Sequence, residues 1–140
     1  MRYYVDSSAL VKRAVEEPQS AELEATLRKH LNDRDILLAS SLAIVEVSRV
    51  VRSRLDAEAP AQVGDLIELA LGGIVECLLS SHVVGVARRL GPASLRSLDA
   101  IHLATASIMA VDVVIAYDRR LLRAAEELGF RTLSPGPLDE

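Results

Sequence analysis

Short apolar runs alternate along this chain with longer stretches in which hydrophobic residues recur at helical spacing. Runs of strand length occupy residues 3–5, 36–39, 74–79 and 113–117, with a weaker one at 131–133. They are rich in Val, Ile, Leu and Tyr and too short for helices. Between them, residues 9–15, 21–31, 42–55, 62–71, 83–90, 98–109 and 121–128 repeat apolar side chains every three or four positions, the signature of one helical face. Strands alternating with helices in this way predict an α/β fold built on a mainly parallel sheet. The punctuation agrees. Pro18 and Pro60 stand before predicted helices, Gly91 and Pro92 end one, and Gly129 follows the last as a C-terminal cap. Residues 134–140, with two prolines and a glycine, read as irregular.

Composition narrows the class. At 140 residues, half of them hydrophobic and 26% charged, the chain reads as a single domain over residues 1–140 that folds without staples. Its one cysteine, Cys77, lies inside an apolar run and reads as a small buried hydrophobe, consistent with a reducing cytoplasm. Segments free of charge, such as residues 100–111, fall short of the roughly 20 residues that a membrane span needs. Asp6 interrupts the first apolar run, so no export signal is expected there. A net charge of -4 argues against broad electrostatic attraction to nucleic acid, because phosphate affinity comes mainly from Lys and Arg. Any chemistry on nucleic acid would have to be local and assisted by a cation.

In open α/β sheets, ligands sit beyond the carboxyl ends of the strands, so the strand-to-helix junctions come first. Two of them carry an aspartate. Asp6 directly follows the first predicted strand and Asp118 follows the fourth; in each case the alternative role is a helix N-cap, and one residue can serve both ends. Glu46 lies early in the helix opened by Ser40 and Ser41, on the border of its apolar face, with a pair to Arg49 at i+3 as the alternative. Asp99 sits in the first turn of another helix, which Ser94 or Ser97 could cap; there the alternative is stabilisation by the helix dipole. Carboxylates gathered at one edge repel each other unless a divalent cation joins them, and Mg²⁺ or Mn²⁺ suits an all-oxygen set. Such a cation can polarise a phosphodiester and activate water.

The residues that carry this pattern also carry a resemblance. Val5-Asp6-Ser7-Ser8-Ala9-Leu10-Val11-Lys12, Glu46 after Ser40-Ser41, Leu98-Asp99-Ala100-Ile101-His102-Leu103-Ala104, and Tyr117-Asp118-Arg119-Arg120-Leu121 are similar, in order and spacing, to the PIN-domain family, specifically its VapC-type toxins. The resemblance spans nearly the whole chain. It implies a three-layer fold with a five-stranded parallel sheet flanked by about seven helices. It further implies an Mg²⁺- or Mn²⁺-dependent endoribonuclease acting on RNA, a small cognate antitoxin as partner, and a homodimer. Asp6, Glu46, Asp99 and Asp118 match the family's acidic positions. Asp6 and Asp99 would be the leading metal ligands, Asp118 would assist, and Glu46 would orient or deprotonate the attacking water. Ser8 matches a hydroxyl that orders the site, with Ser7 a weaker candidate. Where the family often has Thr before the last Asp and sometimes a further acid after it, this chain has Ala116 and Arg120.

Other residues are read with less specificity. His102, three positions after Asp99, could touch a carboxylate or be a packed structural histidine, whereas His30 and His82 have no acidic companion at ligand spacing. Arg119, Arg120 and Arg123 could hold RNA phosphates or form a solvated basic face, with Arg119 named as a substrate contact. Two competing functions stand beside the nuclease. A phosphatase-like domain with Asp6 as nucleophile is disfavoured because Ser7 and Ser8 follow it and Lys12 and Lys29 are the only lysines. A catalytically silent PIN-like binding module would be expected to have lost part of the acidic set, and all four acids are present.

Overall fold

The structure is a computed structural model that describes residues 1–55 and 60–137. Its elements run β1 (Arg2–Val5), α1 (Ser7–Ala14), α2 (Ser20–Asn32), β2 (Ile36–Ser40), α3 (Ser41–Leu55), α4 (Val63–Leu71), β3 (Ile74–Cys77), α5 (Ser81–Ala87), α6 (Ser97–Ile108), β4 (Val113–Ile115), α7 (Arg119–Glu127) and β5 (Arg131–Leu133). The five strands form one parallel sheet in the order β3-β2-β1-β4-β5. The expected α/β architecture is the one present. From the central β1 the chain builds outward through β2 and β3, then returns to place β4 on the other side. The crevice between β1 and β4 is therefore the switch point at which such sheets bind ligands.

Strand alternation divides the interior in two. Tyr3, Val5, Leu37, Ala39, Val113 and Ile115 face a core completed by α1 to α4 through Leu10, Leu23, Leu27, Val47, Val51 and Ala70. Tyr4, Leu38, Cys77, Val114 and Ala116 face the opposite core, closed by Leu103 and Ala106 of α6 and by Leu121 and Ala125 of α7. A sheet covered on both faces explains why its strands read as continuous apolar runs. It also fixes the register, since a slip of one residue would exchange the two sets.

Several boundaries differ from the sequence reading, each for a local reason. β3 stops at Cys77, paired with Ser40, because β2 turns directly into α3 after that residue. Leu78 and Leu79, expected to extend the strand, lose their neighbour and are 70% and 45% exposed. β4 stops at Ile115, although the Ala116 N–H still donates to Leu133 O at 3.2 Å, and the next residues leave the sheet to deliver Asp118. α5 ends at Ala87 rather than near residue 90; its Val-rich, Gly85-containing sequence is a weak helix former, and Arg89 N–H closes a tight turn onto Val86 O. Neither Ser94 nor Ser97 caps α6, whose N-cap is Arg96 without a side-chain hydrogen bond. The cap at Gly129 forms as expected. At φ +92° it lets Phe130 N–H reach Ala125 O and Gly129 N–H reach Glu126 O, both at 3.0 Å.

His30 does acquire acidic company. The turn after α2, with Arg34 at φ +63°, folds Asp35 back so that its Oδ2 lies 2.9 Å from His30 Nδ1. The last three residues of the stretch expected to be irregular lie outside the described residues. No described helix is long and apolar enough to cross a membrane.

Candidate active site

Asp6 stands where β1 gives way to α1, and several contacts fix it there. Its backbone N–H donates to Ile115 O at 2.9 Å, tying it to the end of the neighbouring β4. Its Oδ2 accepts from the Ser8 N–H at 3.1 Å and from the Ser8 hydroxyl at 2.8 Å. Ser8 Oγ in turn accepts the Tyr117 N–H at 2.9 Å, so one hydroxyl joins the ends of the two central strands. The capping role open to Asp6 from the sequence is taken up. One oxygen caps α1, while Oδ1 lies 3.5 Å from His102 Nε2.

His102 is the hub of the cluster. It projects from α6 with 3% exposure, and its Nε2 meets Glu46 Oε1 at 2.7 Å. Its Nδ1 lies 2.5 Å from the hydroxyl of Tyr4, a residue with no exposed surface. That hydroxyl also accepts the Ser40 N–H at 3.2 Å, so Nδ1 of the ring is held by Tyr4 and Nε2 faces Glu46. Glu46 therefore uses His102, not Arg49, as its partner. The ligand atoms of Asp6, Glu46 and His102 all lie within 4.8 Å of one another.

Burial sets the electrostatics. It is the main reason that the Asp6 carboxyl is pushed above its ordinary value; His102 and Ser8 pull the other way without cancelling it, and Glu46 adds to the rise. At His102 burial is again the largest influence, and it favours the neutral ring. The Glu46 hydrogen bond and the carboxylates of Asp6, Glu46 and Asp99 together outweigh it and raise the pKa. Burial, followed by the charge of Asp6, also holds the Tyr4 hydroxyl protonated well above the usual tyrosine range.

The other two acids meet through a cation. Asp99 is 5% exposed, and its Oδ2 accepts from Arg120 Nε at 3.0 Å. Arg120 Nη2 lies 4.0 Å from Asp118 Oδ2. Asp118 is the N-cap of α7, with Oδ1 accepting from Arg120 N–H at 2.9 Å and Leu121 N–H at 3.3 Å. Thus Asp6 and Glu46 converge directly on His102, whereas Asp99 and Asp118 are bridged by Arg120. Arg119, the expected substrate contact, lies exposed at the start of α7, and Arg120, Arg123 and Arg96 line a groove of about 190 Å³ beside Asp99.

Sequence reasoning passed over Tyr4 and left His102 undecided. The available signal was pairing: a buried phenol and a buried imidazole each need a polar partner. A second group of potential ligands, His30, Asp33 and Asp35, is already balanced, Asp35 by the Met1 ammonium at 2.7 Å and Asp33 by Lys29 at 2.9 Å.

The donors at Asp6 fit a hard divalent cation: two carboxylates and one imidazole nitrogen offer ligand atoms within 4.8 Å of one another, and oxygens predominate. The family model described as the PIN domain matches residues 3–127. Ribonuclease VapC47 of Mycobacterium tuberculosis (strain CDC 1551 / Oshkosh) is 38% identical over 135 residues, covering 95% of this chain and 96% of that protein. Ribonuclease VapC46 of Mycobacterium tuberculosis (strain ATCC 25618 / H37Rv) is also 38% identical, over 134 residues, covering 94% and 96%. The crystal structure of VapBC2 from Rickettsia felis, bound to a DNA fragment from their promoter, superposes with a TM-score of 0.74 at 12% identity, covering 97% of this chain and all of that one.

Proposed function

This chain belongs to the PIN-domain family and to its VapC type, and from that premise we propose that it is a divalent-metal-dependent endoribonuclease, the toxin of a type II toxin–antitoxin pair. The observation that carries this reading is the meeting of buried Asp6 with Glu46 on His102 at the sheet's switch point, beside a second buried carboxylate, Asp99. Asp6 and Asp99 would hold Mg²⁺ or Mn²⁺, with Asp118 assisting from the N-cap of α7. When bound there, the cation supplies Lewis-acid polarisation of the phosphodiester and neutralises charge on it.

The chain's own residues supply the rest. Glu46, oriented by its bond to His102, takes the proton of the attacking water. Tyr4 fixes the His102 ring from behind, and Ser8 fixes the free rotation of the Asp6 carboxylate. Basic side chains on the rim of the groove beside Asp99, Arg96 and Arg123, attract the RNA backbone locally despite the chain's net charge of -4. The relatives' name, ribonuclease, supports RNA as substrate.

A small antitoxin would act as the partner, and VapBC2 offers the structural precedent for such an assembly. Val84, 44% exposed on α5, borders a groove between α5 and α6 that also includes Leu90, Leu95 and Ile101 and is flanked by Arg88 and Arg89. We assign this apolar and basic surface to that partner, and expect the toxin itself to be a homodimer in the cytoplasm.

The test is cleavage of a structured RNA by purified, metal-stripped protein. Cleavage is expected on adding Mg²⁺ or Mn²⁺ and none in chelator. Asp6→Asn, which preserves an N-cap, is expected to keep the circular dichroism of the parent and lose cleavage by at least about a hundredfold. Undiminished cutting in chelator, or by the Asn variant, would overturn the proposal.

A further inference from the structure

Arg120 departs from the pattern that the rest of the site follows. Among the acids of the site it is a cation, and its guanidinium Nε sits 3.0 Å from Oδ2 of the buried Asp99. The two ends of this pair differ in environment. The Asp99 side chain is 7% exposed and the Arg120 side chain 52%. Arg120's backbone is fixed, as the second residue of α7 under the Asp118 cap, but its side chain borders solvent along the groove with Arg96 and Arg123. Leaving Asp99 therefore requires only a side-chain rotation.

From this arrangement, and resting on the metal-dependent reading above, the geometry points to Arg120 as an internal counter-ion that competes with the divalent cation for Asp99 and so sets the metal affinity of the site. A dication on Asp99 would stand within a few ångströms of the guanidinium already held 3.0 Å from its Oδ2, and the two positive charges repel even at the effective dielectric of a protein surface. A buried carboxylate left alone is also costly. The pair accordingly exchanges one cation for another: Arg120 keeps Asp99 compensated while the metal is scarce, and yields to it as its concentration rises. It is a positioning residue for the metal ligand and touches no reacting atom in this role.

The test is calorimetric titration of metal-stripped protein with Mn²⁺, with no RNA present and therefore independent of activity. Four proteins are compared: the parent, Arg120→Gln, Arg123→Gln and Asp6→Asn. Arg120→Gln removes the competing charge and is expected to bind Mn²⁺ about fivefold more tightly, the fold-change expected from losing one partly exposed ion pair. Arg123→Gln, on the same rim but outside the Asp99 pair, controls for the general loss of a positive charge and is expected to shift the affinity by less than half as much. Equal or weaker Mn²⁺ binding by Arg120→Gln, with circular dichroism unchanged, would overturn the inference, as would an equal gain in Arg123→Gln. If instead the parent binds no Mn²⁺, or binds it as well as Asp6→Asn does, the metal-site reading itself fails, an outcome distinct from the first.

Discussion

At the scale of single residues, the site depends on a phenol that contacts no carboxylate. Tyr4 alternates with Tyr3 along β1 and so faces the opposite core, where it has no exposed surface. Its hydroxyl satisfies the Ser40 N–H at 3.2 Å and holds His102 Nδ1 at 2.5 Å. Tyr4→Phe keeps the ring and its packing but strands both partners in the interior. Leaving buried polar groups unpaired costs about 1–3 kcal/mol, so the urea midpoint should fall while the denaturant slope stays constant. The same change frees the His102 ring that orients Glu46, and cleavage should fall by less than in Asp6→Asn. If Tyr4→Phe is as stable as the parent, the hydroxyl is not the anchor.

At the scale of elements, the sequence revealed most where hydrophobic spacing alone decides the outcome. The strands and helices stand near their expected places because both faces of the sheet are buried and each helix presents one apolar stripe. What escaped were events set by neighbours distant in the chain: β3 losing its partner after Cys77, Arg120 reaching across to Asp99, and Tyr4 finding His102. Asp6, Asp99 and Asp118 could be picked out because strand ends and a first turn are marked locally, and Glu46 because it borders an apolar face, but how they pair depends on how α3, α6 and α7 approach one another. The turn after α2 shows the same limit. There Asp35 folds onto His30 and the Met1 ammonium, joining the α2–β2 connection to the start of β1. These partners, the ammonium first, hold the Asp35 carboxyl below its ordinary value of 3.8. A carboxyl lowered in the folded state stabilises above the unfolded pKa, and that stabilisation disappears as pH falls through the folded one. Asp35→Asn should therefore be less stable than the parent at neutral pH, with the gap closing below about pH 4. Urea midpoints measured across that range check this, and a gap independent of pH would contradict it.

At the scale of the whole molecule, the site opposes the fold. Hydrophobic burial draws Asp6 into the crevice between β1 and β4, and the same burial makes its charge unfavourable there. The metal-free protein accordingly gives up stability to keep a carboxylate at its switch point. Asparagine at position 6 caps α1 as well as aspartate does and brings no buried charge, so metal-free Asp6→Asn should melt at or above the parent's temperature. A divalent cation that binds only the folded chain adds RT ln(1 + [L]/Kd), about 2.7 kcal/mol at a hundredfold excess over Kd. For a domain of this size that raises the melting temperature on the order of 10 °C. Scanning calorimetry with and without Mn²⁺ should show this rise in the parent and its absence in Asp6→Asn. An equal rise in both would place the cation away from Asp6. If instead the metal-free Asn variant melts well below the parent, the charge of Asp6 contributes to the fold through its own protein partners, and function and stability are not opposed at this position.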